Sequence, residues 1–427
     1  MGTPELSASI GEVQRHLNAL CADIGTRVAA TPAELAAGEY AAGYLRELGL
    51  SNVTTHTFPF NAWGYERSEV EVREANGWWS VPSVPLAMSA STPEEGVEAE
   101  VVYVDATPER IVEDIDLEGR VVLLWGQFGQ TPEKLEQVQS SGAVAAIWVD
   151  DRVPVSWLVA IGTPYDWRRY LTIPQVSVPY FDGWRLARTP GARVRIHTRV
   201  WQEAAHSINV YGDIPGTGDG IVHVGAHLDT VILGTGADDD ASGVAAALEI
   251  ARLLSQRDEQ PLSTVRFVLY GAEEELSEGA RQYVLEHHDA VERSHLCVNF
   301  DAIGSAIGHN QVHVTGPEEL AQVARETPDY PCEVSVDLTP YSDMFPYNIF
   351  GVPSLWYYRV NMPNFRYFHH SEHDDLPAVS PAVTARTASA AAHVTWRAAY
   401  AEPTWHREIP QEQAAELRKR ASWFYGI

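Results

Sequence analysis

Lysine is almost missing from this chain of 427 residues, which contains only Lys134 and Lys419. Schiff-base chemistry needs a reactive lysine, and a nucleotide-binding P-loop needs the stretch G-x-x-x-x-G-K, which does not occur in the sequence. Basic residues are few as well, since 30 lysines and arginines stand against 58 aspartates and glutamates, for a formal net charge of −28. A field of that sign repels phosphate backbones and anionic membrane surfaces. We therefore expect no nucleic-acid partner and no pyridoxal or nucleotide chemistry.

Cysteine is also scarce, and Cys21, Cys297 and Cys332 follow no C-x-x-C spacing. An odd number of scattered cysteines argues against both a disulfide framework and a thiolate metal site. No stretch reaches the ~18 apolar residues of a membrane-spanning helix, and the first residues lack the basic start and apolar block of a signal peptide. We expect a cytoplasmic protein without a membrane partner, or a secreted one if a leader has been removed. The oligomeric state is left open.

The order of the sequence patterns predicts an α/β fold. Thr31-Pro32-Ala33-Glu34 has the capping-box pattern with proline at the first helical position, which predicts a helix over residues ~31–49. Between about Glu98 and Val200 the chain consists of short β-rich runs, as is typical of a self-contained insertion. After Ser207 strand patterns and helix patterns alternate. This alternation predicts a mixed, mostly parallel central sheet that is covered by helices.

Acidic and histidine side chains follow the predicted strands of the second half. Each fragment alone is weak evidence, since a His-x-Asp pair is more often a surface or core histidine and paired glutamates more often begin a helix. In an open α/β sheet, however, the loops at the strand ends converge, so side chains distant in sequence meet there. The ordered set of histidine, aspartate, paired glutamates, aspartate and histidine therefore predicts a metal site. Its ligands would be His227, Asp239, Glu274, Asp301 and His370.

A charge count favours two Zn²⁺ ions, or two other divalent metals, at these ligands. Two such ions bring four positive charges, which the three ligand carboxylates and one bridging hydroxide would balance. Asp239 would bridge the metals, with His227 and Asp301 completing one and Glu274 and His370 completing the other. Imidazole and carboxylate ligands without thiolate suit a catalytic zinc with an open position.

Three further acids next to the ligands receive supporting roles. Glu273 lies beside a ligand but would itself be free of metal, so it could take a proton from the reacting water and pass it to the leaving amine. Asp229 and Asp374 would hold the ring nitrogens of His227 and His370 that face away from the metal.

At these residues the sequence resembles the co-catalytic zinc aminopeptidases of metallopeptidase clan MH, which also contains glutamate carboxypeptidases and glutaminyl cyclases. The resemblance is loose over residues 1–95 and close over 205–400. It implies hydrolysis of the N-terminal peptide bond of a peptide or small amide. The matching segments are VGAHLDT, GADDDASGVAAALEIARLL, YGAEEE, VNFDAIG, SDMFPYNIFGVPS and HHSEHDD.

The middle of the chain is similar to a protease-associated domain, through EGRVVLLWG, the helix that contains Lys134, and SSGAVAAIWVDD. In this family such an insertion partly roofs the cleft and influences substrate choice without performing chemistry. The expected division is therefore a catalytic domain in two parts, 1–95 and 201–402, a β-rich insertion at 96–200, and a helical tail at 403–427.

One departure from the family concerns the oxyanion. Many relatives carry a tyrosine immediately before the last histidine ligand, where its hydroxyl stabilises the oxyanion, but this chain has His369 there. The candidate donors are His369, Tyr367 and Tyr341, and the alternative is that the metals alone polarise the carbonyl.

Substrate binding is open at several positions. Glu273 or Glu275 could bind the free amine of a peptide, and Tyr358 could line an apolar pocket, although aromatic residues at strand ends usually pack in the core. Arg359 or Arg366 could bind a substrate carboxylate, or form a structural ion pair.

Three rival interpretations of these motifs differ in how well the sequence fits them. Asp238-x-Asp240-x-Ser242-Gly243 with Glu249 approaches the EF-hand template, but the residues before it indicate a strand and a glycine loop where an EF-hand needs a helix. A non-catalytic binding relative would have lost the metal ligands, which are all present here. Carboxypeptidase or other amidohydrolase action stays open, because the ligand set does not decide which end of a peptide is held.

Overall fold

The computed structural model describes residues 6–74, 76–111, 116–126, 131–150, 158–160, 162–189, 191–361 and 366–426. Two compact units result. The first comprises the residues up to Phe60, Ala205–His369 and the residues from His373 onward. The second comprises Asn61–Ala204 together with the short segment His370–Glu372.

Fourteen strands lie within the described residues, and two of them, β1 and β8, are long enough to contribute to both units. In chain order the strands are β1 (Ser51–Glu74), β2 (Gly77–Val81), β3 (Val84–Pro85), β4 (Val97–Val104), β5 (Val121–Trp125), β6 (Ala145–Val149), β7 (Gln175–Val178), β8 (Arg193–Ile214), β9 (Ile221–His227), β10 (Thr264–Tyr270), β11 (Ser294–Phe300), β12 (His309–Thr315), β13 (Cys332–Val336) and β14 (Ser354–Val360).

Eleven α-helices are also described. They are α1 (Ile10–Leu17), α2 (Pro32–Glu47), α3 (Pro132–Ser140), α4 (Tyr180–Ala187), α5 (Ser242–Ser255), α6 (Glu278–Glu286), α7 (His288–Glu292), α8 (Glu318–Arg325), α9 (Met344–Ile349), α10 (Pro381–Tyr400) and α11 (Gln411–Tyr425). Short π-helical segments span Asn18–Ile24 and Ala237–Ala241, and 3₁₀ turns span Tyr165–Tyr170 and Leu376–Ala378. None of the helices in the described part of the chain combines the length and the apolar character that crossing a membrane requires.

The first unit is built on a sheet with the strand order β13-β12-β14-β11-β9-β10-β8. Neighbours pair in parallel from β14 through β11 and β9 to β10, while β8 runs antiparallel to β10 and β12 antiparallel to β14. Helices α1, α5 and α10 pack together and α5 also contacts β9, so the buried apolar core lies between these helices and the sheet. The predicted mixed, mostly parallel sheet covered by helices is confirmed.

The parallel order of β9, β10 and β11 positions the candidate site. Because these three neighbours run in one direction, their carboxyl ends lie at the same edge of the sheet. His227 ends β9, the loop with Glu273 and Glu274 follows β10, and Asp301 follows β11. Side chains that are up to 74 positions apart in sequence are thereby brought to one place.

Helix α2 shows why the predicted first helix forms. The Thr31 side chain accepts a hydrogen bond from the Glu34 amide at 3.4 Å. The Glu34 carboxylate in turn accepts one from the Ala30 amide at 2.7 Å. These contacts satisfy backbone donors that the first turn of a helix leaves free. The helix predicted over residues ~31–49 is confirmed as Pro32–Glu47.

The second unit has its own sheet and cores. Strands β4, β5, β6 and β7 pair in parallel, β3 is antiparallel to β7, and the first part of β8 is antiparallel to β4. Strands β1 and β2 form an antiparallel hairpin. Two clusters of buried apolar residues belong to this unit. The predicted insertion at 96–200 lies inside its bounds, and the protease-associated identity of that insertion stays a prediction.

Candidate metal centre

Three of the predicted ligands converge in the first unit. His227, Asp239 and Asp301 are all buried, and each presents one possible ligand atom such that the three atoms lie within 4.8 Å of one another. The Nε2 atom of His227 is 3.1 Å from the Oδ1 atom of Asp239. One imidazole and two carboxylates at this spacing are a donor set that zinc prefers.

His227 is oriented through its other ring nitrogen. Its Nδ1 atom lies 3.2 Å from the backbone oxygen of Asp229 and 3.6 Å from the Asp229 carboxylate. A ring that donates from Nδ1 presents the Nε2 lone pair to a metal, as the predicted role of Asp229 requires. Burial lowers the pKa of His227, but the contacts with Asp229 and Asp239 outweigh burial and raise that pKa well above its ordinary value.

The acidic turn that carries Asp239 is fixed by its two neighbours. Asp240 is buried, and its carboxylate accepts hydrogen bonds from the amides of His227 at 3.3 Å, Gly243 at 2.9 Å and Ala302 at 3.0 Å. The Asp238 carboxylate accepts one from the Gly304 amide at 2.7 Å. One aspartate thus ties the end of β9, the start of α5 and the loop after β11 together. The D-D-D run in the sequence does not by itself indicate this role of Asp240.

The contacts of Asp374 differ from the prediction. Its carboxylate accepts hydrogen bonds from the amides of Asp238 at 2.8 Å and Asp239 at 3.0 Å, so it supports the acidic turn. Asp374 was expected to hold the ring of His370. Instead the Nδ1 atom of His370 lies 3.1 Å from the backbone oxygen of Ala160, and both residues belong to the second unit. A backbone carbonyl, like a carboxylate, can accept the ring N–H of a histidine and so fix the orientation of the ring.

Asp229 also organises the loop after β10. Its two carboxylate oxygens accept hydrogen bonds from the amides of Glu273 at 2.9 Å and Glu274 at 3.2 Å. The Glu274 carboxylate accepts a further bond from the Val231 amide at 3.1 Å. One buried aspartate therefore connects His227 to the two glutamates that were predicted to bind metal and to move protons.

Glu273 lies next to the converging ligands. One carboxylate oxygen accepts a hydrogen bond from the Ser277 hydroxyl at 3.2 Å, and the other is 4.0 Å from the Nε2 atom of His227. Burial raises the pKa of the Glu273 carboxyl well above its ordinary value, His227 opposes that rise, and the nearby Asp301 and Glu274 add to it. The group has the environment of a proton acceptor in a crowded acidic site.

Arg366 is the main cation of the site. Its guanidinium donates to the Asp301 carboxylate at 2.8 Å and lies 3.5 Å from the Asp239 carboxylate. It also donates to Nδ1 of His369 at 2.6 Å, and Nε2 of His369 lies 3.5 Å from Asp239. Burial lowers the pKa of Arg366, but Asp239 and Asp301 raise it above its ordinary value. Of the two roles left open for Arg366, these contacts match the structural ion pair.

Two predicted site residues have contacts of another kind. The Tyr341 side chain is 55% exposed and its ring packs edge-on against Phe424 at 5.8 Å. Arg359 donates to the backbone oxygen of Ser305 at 2.7 Å and to the Asn310 side chain at 2.6 Å. The Arg359 contacts are structural, although neither partner is charged.

The remaining predicted residues are placed as follows. Tyr358 stacks on Trp356 at 4.9 Å, which is the packing alternative for an aromatic residue at a strand end. The Tyr367 amide donates to the Asn361 side chain at 2.7 Å. Glu275 is buried beside Glu274.

The comparisons with known proteins identify the region that holds this centre. Residues 209–395 match peptidase family M28. This region belongs to family M28. The family is part of clan MH, so the resemblance given by the sequence motifs is confirmed. All five predicted ligands, Glu273, Asp229 and Asp374 lie inside the M28 region.

Curated relatives extend beyond the M28 region. The "Probable lipoprotein aminopeptidase LpqL" of Mycobacterium tuberculosis is 30% identical over 312 residues, which cover 71% of this chain and 60% of LpqL. An aminopeptidase of Pseudomonas aeruginosa is 27% identical, with 66% of this chain and 54% of that protein covered. Carboxypeptidase Q of Xenopus laevis is 26% identical, with 71% and 68% covered. The chain thus spans little more than half the length of the first two relatives.

Solved structures share the fold. A Shewanella amazonensis peptidase M28 precursor has a TM-score of 0.80 at 20% identity, covering 94% of this chain and 98% of its own. BSAP, a zinc aminopeptidase from Bacillus subtilis, has a TM-score of 0.74 at 20% identity, covering 96% and 99%. At 20% identity this similarity establishes the fold of the chain and nothing about its activity.

Proposed function

We propose that this chain is a zinc-dependent exopeptidase that hydrolyses the N-terminal peptide bond of peptides. The observation that carries the proposal is the convergence of His227, Asp239 and Asp301 within 4.8 Å in the M28 region, with Glu273 beside them. Two relatives support cleavage at the amino end of the peptide, since LpqL and the Pseudomonas aeruginosa protein are both described as aminopeptidases. BSAP supports zinc.

The donor set of the described residues fits a zinc ion. His227, Asp239 and Asp301 would hold one ion, and Glu274 would join Asp239 in holding a second. His370 stays the predicted fifth ligand on sequence grounds, as the last histidine of the ordered ligand set and a member of the segment HHSEHDD. When bound, zinc supplies Lewis acidity that makes water a nucleophile at neutral pH, and other divalent metals of similar preference would serve as well.

Glu273 is proposed to move the proton. Its carboxylate would accept the proton of the attacking water and deliver it to the leaving amine. The Ser277 hydroxyl holds one of its oxygens, so the other is directed toward the ligand cluster. Because Asp229 holds both the backbone of Glu273 and the ring of His227, the base and a metal ligand keep a fixed relation to each other.

His369 is proposed to stabilise the oxyanion. Arg366 has only donors and lies 2.6 Å from Nδ1 and 3.3 Å from Nε2 of His369. The shorter contact makes Nδ1 the acceptor, and a neutral ring would then carry its proton on Nε2. That N–H lies at the ligand cluster, 3.5 Å from Asp239. The other two candidate donors, Tyr341 and Tyr367, are 55% and 38% exposed.

The contacts of Arg359 and Arg366 favour binding of the amino end of the substrate, because neither arginine is left to bind a substrate carboxylate. Arg359 donates to Ser305 and Asn310, and Arg366 donates to Asp301, so both guanidinium groups are engaged within the protein. The acids Glu273 and Glu275 could bind a free amine. Carboxypeptidase Q supports the alternative, that a related site holds the carboxyl end.

A pair of substrates tests this proposal. An aminoacyl anilide and its N-acetylated form differ only in the free amine, so an aminopeptidase cleaves the first and leaves the second almost untouched. Activity should vanish on chelation and return with added zinc. Faster cleavage of the acetylated compound would refute the amino-end specificity, and full activity after complete metal removal would refute the metallopeptidase itself.

A further inference from the structure

Arg27 is a fully buried cation whose hydrogen-bond partners are backbone carbonyls. It lies in the first unit, between the π-helical segment Asn18–Ile24 and α2, with 0% of its surface exposed. Among the ion pairs found in the described residues none includes Arg27. Its guanidinium donates to the backbone oxygens of Leu228 at 2.7 Å, Thr235 at 2.7 Å, Gly25 at 3.2 Å, Leu20 at 3.3 Å and Gly236 at 3.3 Å.

Three of these carbonyls belong to the segment 228–236, which connects two metal-ligating positions. Leu228 lies between His227 and Asp229, at the start of the segment, while Thr235 and Gly236 lie at its end, shortly before the acidic turn. The Arg27 side chain therefore bonds both ends of the segment at once.

Neighbouring bonds strengthen this closure. The Arg27 amide donates to the Thr230 hydroxyl at 3.0 Å, and the Thr230 amide donates to the Arg27 carbonyl at 3.3 Å. The Thr26 hydroxyl donates to the Gly234 carbonyl at 2.5 Å. Main chain and side chains of residues 26–27 thus contact the beginning, middle and end of the segment.

The chemistry of the guanidinium explains why an arginine stands here. A buried cation is costly unless its donors are satisfied, and five N–H groups in a planar fork can reach carbonyls on several sides. The ammonium of lysine is a single point with three donors and does not span two ends of a loop. Any movement that separates Leu228 from Thr235 and Gly236 would leave donors of a buried charge without acceptors.

We propose that Arg27 is a positioning residue, which fixes the distance between His227 and Asp239 by closing the segment 228–236. The proposal rests on the proposed function in that these two side chains share a zinc ion. Arg27 would touch neither metal nor substrate, and it would act by keeping the ligands at their spacing before the metal arrives.

Zinc affinity of the variant Arg27→Lys tests the proposal. Wild type and variant are titrated with zinc against a chromophoric chelator, well below the Tm of both. We expect about tenfold weaker binding or more, the usual effect of losing a contact behind a metal ligand. Arg266→Lys is the matched control, because Arg266 is a partly buried arginine of the same unit that pairs with Asp213 at 2.7 and 2.8 Å near the start of β10. Its zinc affinity should equal that of wild type.

Hydrogen exchange of the metal-free proteins gives a second measurement. Amides of residues 234–239 should exchange faster in Arg27→Lys than in wild type, and at the wild-type rate in Arg266→Lys. If wild type binds no zinc, the proposed function fails, and exchange alone then decides the role of Arg27. Unchanged affinity together with unchanged exchange in Arg27→Lys would overturn the proposal.

A milder variant decides the matter if Arg27→Lys does not fold. Thr26→Val removes only the bond to Gly234 and leaves the buried charge in place. Weaker zinc binding with faster exchange at 234–239 would support the closing role of residues 26–27. Wild-type values for both would reject it.

Discussion

Individual residues in this site serve more than one neighbour. Asp229 contacts the ring of His227 and the amides of Glu273 and Glu274, and Asp240 receives three amides from three different elements. Each carboxylate is satisfied by several donors, which stabilises acids that burial would otherwise disfavour. Substitutions of single residues should therefore show whether a residue takes part in the reaction or only holds its neighbours in place.

Glu273→Gln should lower the reaction rate without changing metal binding. The amide keeps the shape of the side chain but cannot accept the proton of water, so kcat should fall by at least ~10², the usual scale for a lost general base. Zinc content, measured by metal analysis, should stay at the wild-type level. Glu292→Gln, at a site whose side chain is 67% exposed, is the control and should keep full activity. A near-normal kcat in Glu273→Gln would remove this residue from the mechanism.

His16 should make stability depend on pH. Its Nδ1 atom lies 2.6 Å from the Tyr40 hydroxyl, and burial lowers the pKa of His16 from 6.5 to about 3. As the pH falls below 6.5 the unfolded chain takes up this proton first, so stability is lost between pH 6.5 and about 3. Denaturant unfolding of His16→Gln should show a slope smaller by up to about 1.4 kcal/mol per pH unit.

Parallel stability curves for wild type and His16→Gln across this pH range would contradict the assignment.

The packing of helix α6 against the end of strand β10 determines the geometry of the site. Asn209 bonds both, since its side chain accepts from the Gly271 amide at 3.1 Å and donates to the Gly279 carbonyl at 2.9 Å. A Cβ atom at Gly279 would overlap the Gly271 backbone oxygen. The loop with Glu273 and Glu274 lies between these two glycines, so their contact determines its shape.

Gly279→Ala should therefore destabilise the protein by about 1–3 kcal/mol, the usual cost of overpacking. Gly43→Ala is the matched substitution, because Gly43 lies in the exposed interior of α2 with nothing within 4 Å of an added Cβ. It should stabilise by about 0.5–1 kcal/mol, as alanine does in a helix. Chemical denaturation measures both, and equal effects of the two substitutions would refute the close approach.

The negative charge of the whole molecule affects the stability of its folded state. The net charge of −28 disfavours compaction, and in the M28 region buried acids lie close enough to raise one another's pKa, as Asp301 does for Asp240 and Glu273. A ligand that neutralises them binds the folded state and not the unfolded chain, and so must stabilise it.

Zinc should therefore raise the Tm of chelator-treated protein. At a free concentration of one hundred times Kd the gain is about 2.7 kcal/mol per site. Asp239→Asn should lose most of this gain, while Asp258→Asn, at an exposed position, should keep it. Calorimetry with and without zinc checks the prediction, and an unchanged wild-type Tm would speak against a metal bound by the folded state.

Local patterns in the sequence were enough to predict the parallel sheet, the first helix and the region of the candidate ligands. Capping residues and the alternation of strand and helix patterns act between near neighbours, so they can be seen without a structure. The order of acids and histidines at strand ends then follows from the parallel sheet.

Only the tertiary structure decided which partners orient these side chains. Asp374 bonds the acidic turn where the sequence suggested His370, and Arg27 reaches carbonyls about 200 positions away. Every residue offers a backbone carbonyl, and every residue except proline an amide N–H, so no sequence motif marks the one that a buried side chain will meet. The sequence by itself thus determined which chemical groups the site could contain, whereas chain packing determined how they are held.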